Sequence, residues 1–235
     1  MRKALTADSI LPFSLLGMTA VTGLVDAVSF LSLGHVFTAN MTGNIVLLAF
    51  AGTGVPQVSL AGSITALLGF LAGAAVGGRI MAGASGVVPL RAASSVFALE
   101  IVFLVGATLA AFGYSVVSSP HFPRLYAMIA FTAIAMGMRN AAVRKLAVPD
   151  LTTTVLTLTI TGIAADSSVA RGTDPRLQRR IAAVVAMLAG AALGSITLRH
   201  SVFLALAFSV VLSSLCSLAL LISSRLGRWP LKVDA

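Results

Sequence analysis

Charge is scarce in this chain. Only 10% of its 235 residues are charged and 58% are hydrophobic, whereas a soluble domain carries roughly 25% charged residues. So little polar surface cannot cover a globule in water, which excludes a soluble domain. Acidic residues are the scarcest, seven Asp and Glu against sixteen Lys and Arg. The cations lie between apolar stretches, where topology signals belong, so the net charge of +9 does not point to nucleic acid. Cysteine is limited to Cys216, inside an apolar run, which excludes an intrachain disulfide and reads as a buried thiol. No Cys or His cluster has metal-ligand spacing, and neither a Walker A motif nor a dinucleotide fingerprint is present. His35, His121 and His200 fall near segment ends. A membrane enzyme gathers several His, Asp or Glu near one face, and this chain does not. The expectation is a protein without enzymatic activity, cofactor or metal.

What the chain does have is long apolar runs, several of them able to cross about 30 Å of hydrocarbon as a helix. It reads as an all-α polytopic membrane protein, a single integral membrane domain over 1–235 with the lipid bilayer as its solvent. Eight apolar segments follow one another, at about 11–33, 37–53, 57–82, 92–115, 122–140, 150–165, 180–198 and 201–224. Their breaks carry Gly34, Gly54 to Pro56, Ser85 to Pro89, Ser118 to Pro120, Pro149-Asp150, Gly172 to Pro175 and Arg199-His200. Met1-Arg2-Lys3 followed by Leu11 to Leu33 resembles a signal peptide, but the run is too long and reads as a retained helix.

Positive charge stays on the cytoplasmic side, so the sixteen cations decide how many segments cross. With eight crossings and a cytoplasmic N-terminus, ten cations lie inside and six outside. If the short segments 2 and 6 do not complete a crossing, only Arg124 and Arg199 remain outside and fourteen lie inside. The chain therefore favours six spans plus two re-entrant or broken segments, with both termini cytoplasmic. Eight helices in two parallel four-helix halves is the alternative.

The two short segments resemble each other. Asp26–Thr42 lies on Ala141–Thr157 without gaps, pairing Ala27 with Ala142, Val28 with Val143, Leu31 with Leu146, Thr38 with Thr153 and Thr42 with Thr157. A shift of one residue also pairs Gly23 with Gly137. This suggests an internal repeat, 11–115 and 122–224. Three crossings per half start the second half on the opposite side, giving inverted three-span repeats, an architecture that places sites near the midplane. Polar, helix-weak residues at that depth must be buried in protein or line a watery cavity. Thr38-Ala39-Asn40-Met41-Thr42-Gly43-Asn44 and its partner stretch Asp150 to Thr159 fit that description.

At these residues the chain resembles a known family. LVDAVSFLSLGHVFTANMTGNIVLL and MGMRNAAVRKLAVPDLTTTVLTLTITG look like the two signature stretches of the YoaK-like family of bacterial membrane proteins, a domain of unknown function. The resemblance covers nearly the whole chain in motif order and spacing. It implies a bacterial inner-membrane protein usually counted as six spans. It brings no catalytic residues and no established substrate.

The candidate site residues each have a plainer reading. Asp26 inside segment 1 is a proton or cation relay, or else it caps a helix break or pairs with Arg139 or His35. Glu100 in segment 4 is a secondary candidate that could instead snorkel or pair with Arg91 or Arg79. Asn40, Thr42, Gly43 and Asn44 line a path, or serve as interhelical hydrogen-bond glue. Among Thr152, Thr153, Thr154, Thr157, Thr159 and Thr161, hydroxyls that bond back along the helix are the simpler account. Thr153 and Thr157 stand out through their repeat partners. Arg139 is an anion contact or the partner of Asp26, next to Asn140, while Arg144 and Lys145 read as topology charges. Arg171, Arg176, Arg179 and Arg180 form a cytoplasmic loop cluster that fixes orientation and touches anionic headgroups. Gly69, Gly73, Gly77, Gly190 and Gly194 make small-residue packing faces.

These readings converge on a small transporter or channel for a small solute or ion, with its path between the two interrupted segments. A membrane scaffold or accessory protein is the rival. A homo-oligomer is an open alternative.

Overall fold

The computed structural model describes residues 7–225 apart from 57, 84–88, 115–121, 152, 155, 174 and 175. Arg2, Lys3, Arg228, Lys232, Thr152, His121 and the expected breaks at Ser85–Gly86, Ser118 to Pro120 and Pro175 lie outside the described residues. Among the described residues the chain is all helical: α1 Ala7–Ser32, α2 Met41–Gly52, α3 Leu60–Ala82, α4 Pro89–Ala110, α5 Phe122–Leu146, α6 Thr157–Ala165, α7 Leu177–Leu198 and α8 Val202–Arg225. Six of these are long and apolar enough to cross a membrane. The other two have 12 and 9 residues, about 18 and 14 Å of helix, which is half a bilayer. The six-span reading therefore holds, with segments 2 and 6 as the short ones.

Segment 6 differs from the expected 150–165. Its helix starts only at Thr157, and residues 147–156 include three non-glycine residues in the left-handed region, Ala147, Asp150 and Thr153. Such backbone is sterically costly outside glycine, so the interruption is deeper than the sequence suggests.

Packing pairs recur across the two halves. α1 packs on α7 as α5 packs on α3, α1 on α8 as α5 on α4, and α2 on α3 as α6 on α7. Glycine makes the closest of these contacts. A Cβ on Gly73 would run into the carbonyl of Ile134, and one on Gly190 into the carbonyl of Ala20. Gly137 meets the Phe70 carbonyl and the Ala74 nitrogen, while Gly23 meets the Met187 carbonyl and the Ala191 nitrogen. Gly77 lies over Met138 and Ala141 as Gly194 lies over Leu24 and Ala27. These correspondences pair Gly23 with Gly137 and hence Asp26 with Asn140, one position off the gapless alignment. In the loops, Thr38 pairs with Thr153 and His35 with Asp150, both of the latter left-handed at φ 56° and 62°. The two halves are built alike in their contacts.

The centre is formed by α1 and α5, the most buried spans, with α8 against α1, α4 against α5, and α4 and α8 against each other. Helices α2 and α6 do not contact each other. Each is fixed to one flank, which leaves a gap where the two chain breaks meet.

Candidate functional site

The first break begins where α1 ends at Ser32 and the chain reverses through Gly34 and His35, both at positive φ. Two backbone amides left without helical partners turn back to Asp26: those of Thr38 and Ala39 donate to its Oδ1 at 3.2 and 2.9 Å. An intramembrane carboxylate is costly, and these bonds offset part of that cost. Asn40 then caps α2, its Oδ1 accepting from the Gly43 amide at 3.2 Å, the ordinary use of Asn at a helix start. Asn44 clamps the reversal from the other side. Its Oδ1 accepts from the Phe37 amide at 3.0 Å and its Nδ2 donates to the Phe37 carbonyl at 2.6 Å. Phe37 stacks on Phe30 with centroids 5.0 Å apart, so the turn is packed as well as bonded. Asn44→Leu removes both bonds and leaves two part-buried backbone groups of Phe37 unmet. It is expected to lower stability by about 2–4 kcal/mol, read as a drop in thermal unfolding midpoint.

The second break is held differently. Asn140 stands in the place of Asp26, and its Nδ2 donates to Thr154 Oγ1 at 2.5 Å. Helix α6 starts after Leu156, which provides no side-chain cap. The far end is tied by Arg180, whose guanidinium donates to Asp150 at 3.0 Å, Asp166 at 2.7 Å and the Gly162 carbonyl at 2.6 Å. Arg176 adds a second cation at Asp150 Oδ2, 3.1 Å away. Arg180 is thus a correction to the headgroup-facing cluster: it is buried and ties α6, α7 and the loop before α6 together.

The two breaks share one cavity of about 500 Å³, lined by Asp26, Asn40, Thr42 and Gly43 of the first motif and by Thr154, Leu156 and Thr157 of the second, with Val46, Ile160 and Met187 completing it. A second cavity of about 430 Å³ lies against Asn140, Arg144 and Lys145, with Phe70, Ala74 and Gly78 opposite. A larger one, about 590 Å³, lies between α4 and α8. It touches neither motif, so size does not locate the chemistry here.

Of the expected site residues, Asp26, Asn40, Thr42, Gly43 and Thr157 meet in the shared cavity. Asn140 reaches it through Thr154. Thr38 and Thr153 are buried beside it at 0% and 2% exposure, and neither hydroxyl has a hydrogen-bond partner. Asn44 is a clamp rather than a wall. Arg139 and Glu100 are elsewhere. Arg139 does not pair with Asp26, and Glu100 does not pair with Arg91 or Arg79. They pair with each other, wholly buried. Arg139 Nε lies 3.1 Å from Glu100 Oε2 and Nη2 bonds Oε1. Nη1 donates to the Met18 carbonyl at 2.7 Å and to Thr22 Oγ1 at 3.1 Å, while Ser213 donates to Glu100 at 2.9 Å. With α1, α4, α5 and α8 all contributing, this cluster joins the central helices, away from the shared cavity.

Sequence reasoning missed Met187, Val46 and Ile160, apolar residues on helices that only the fold brings to the cavity. It also missed the tie at Arg180, although Asp150 and Asp166 flanking a short helix were a readable signal.

Comparison with known proteins agrees with a membrane protein. The UPF0700 transmembrane protein YoaK of Bacillus subtilis (strain 168) is 37% identical over 155 residues. That match covers 66% of this chain and 65% of the relative, so the chain spans just under two thirds of the relative's length. No solved structure matches the chain. The family described as "Protein of unknown function (DUF1275)" matches residues 14–219, which include both breaks and reach into all six spans, and the chain belongs to that family.

Proposed function

We propose that the protein is a small transporter or channel, not an enzyme, whose path for a small solute or ion runs through the cavity between the two breaks. The halves are read as inverted repeats in a bacterial plasma membrane, with both termini cytoplasmic. One observation carries the reading: residues of both interrupted segments, from opposite halves of the chain, line one cavity that includes an intramembrane carboxylate. A scaffold needs packed helices there, whereas α2 and α6 leave a gap. Irregular backbone at such depth is tolerated where it lines a watery space.

The test is stopped-flow light scattering of proteoliposomes after an osmotic step with potassium acetate, potassium chloride or glycerol. At least one solute is expected to enter faster than into empty liposomes. Asp26→Asn should slow that entry at least tenfold while the unfolding midpoint stays within a few degrees. Entry at the empty-liposome rate for every solute overturns the path, as does loss of the folded protein in both Asp26→Asn and Asn40→Ala. Either result leaves the scaffold reading. Orientation is tested separately with Cys216→Ala plus Ser118→Cys. An impermeant thiol reagent is expected to label intact cells, and labelling only after the membrane is opened would mean the opposite orientation of the six spans, or eight crossings.

A further inference from the structure

The repeat supplies its own comparison. At the first break a carboxylate of the chain, Asp26, is seated on the amides of Thr38 and Ala39 just ahead of α2. At the second break the corresponding residue is Asn140, a neutral amide of nearly the same shape. The residues that follow, Thr153 and Thr154, stand where Thr38 and Ala39 stand. Helix α6 has no side-chain cap from Leu156, and its positive end opens on a cavity whose one carboxylate among the lining residues, Asp26, is engaged with the amides of its own half. Next to Asn140, the second cavity carries Arg144 and Lys145. Neither has an acidic partner among the described residues. Thr153, buried to 2% exposure, holds a hydroxyl without a partner and a left-handed backbone at φ 60°. For a β-branched residue that is a strained conformation, and such strain collects at sites.

We infer that the second break binds a small carboxylate-type anion from outside the chain, held by Asn140, Thr153, Thr154 and Thr157 as Asp26 is held at the first break. Its role as the transported or coupled species rests on the transport reading. Its binding does not. Arg144 and Lys145 attract the anion toward Asn140 from the cytoplasmic end of α5, and the Asn140 amide turns from Thr154 toward the ligand. Asp26 stays engaged with its own amides throughout, so one chain holds one built-in and one exchangeable carboxylate.

Equilibrium dialysis of the detergent-purified full chain with radiolabelled acetate tests this. Wild-type protein is expected to bind saturably near one acetate per chain. Asn140→Asp places the carboxylate inside the chain and should weaken acetate binding at least tenfold with folding retained. The Arg144→Gln, Lys145→Gln pair should weaken it several-fold. Asp26→Asn, expected to lose flux, removes the like charge that lines the cavity with Thr154 and Thr157 and should bind acetate at least as tightly as wild type, so binding survives where transport fails. If Asn140→Asp does not fold, Thr157→Val is expected to give the same loss of binding. Absence of saturable acetate binding to wild type overturns the inference, as does undiminished binding in a folded Asn140→Asp or Thr157→Val protein. Saturable binding in wild type together with no solute flux would instead overturn the transport reading and leave the site standing.

Discussion

Glu100→Ala is expected to abolish most of the folded protein, with a loss of about 3–5 kcal/mol. The substitution strands the Arg139 guanidinium, which is wholly buried among α1, α4, α5 and α8. The Met18 carbonyl and Thr22 hydroxyl satisfy some of its donors, but no anion is left to balance its charge. Water cannot reach it, and in a membrane the bilayer offers no substitute. Arg139→Ala should behave alike by stranding the carboxylate. The informative variant removes both: Glu100→Met with Arg139→Met deletes two desolvation costs along with their attraction, and should recover most of the lost stability. Thermal unfolding in detergent, followed by size-exclusion fluorescence, reads all three. Wild-type midpoints for both single variants would mean that the pair is not a structural pin and that its charges have access to water.

Gly73→Leu and Gly190→Leu are the second pair of large effects. The nearest atoms to an added side chain are backbone carbonyls, of Ile134 and Ala20 respectively, and a helix backbone yields far less than a flexible side chain. Overpacking a tight core typically costs 1–3 kcal/mol, occasionally more. Here it also pries apart the two helix pairs on which α2 and α6 are mounted, so each variant is expected to lose more than about 3 kcal/mol. Gly78→Ala is the internal control. It lies one residue from Gly77, yet nothing stands within 4 Å of an added Cβ, so it should leave the midpoint unchanged or raise it. Equal losses at Gly73 and Gly78 would show that the close approach to the Ile134 carbonyl does not set the effect, since helix propensity favours Leu and Ala over Gly at both positions.

Much of this was legible in the residues. Mean composition gave the membrane class, and the partition of Arg and Lys singled out the two segments that prove to be half-length helices. The short polar motifs were readable because bilayer depth tolerates Asn40, Thr42, Gly43 and Thr157 only in a few settings. What was hidden is tertiary. Arg139 stands one residue before Asn140, yet the two side chains serve different ends, one in a buried pin and one at the cavity. A helical step of about 100° separates such neighbours, and no pattern of residue types says which face points where. The helix packing sets Asn140 against Asp26, one residue off the gapless alignment, because the loops and the helices align in different registers. Arg180 looked like one more basic loop residue until α6 and α7 brought Asp150 and Asp166 to it.

The exchange of packing partners between halves also constrains how the protein is made. Helix α1 rests on α7 and α5 on α3, so the first half of the chain enters the bilayer well before its principal neighbours have been synthesised. During that interval Glu100 waits without Arg139, and the glycine-lined faces of α1 and α3 are open to lipid. Assembly is therefore cooperative across the whole chain and late in synthesis.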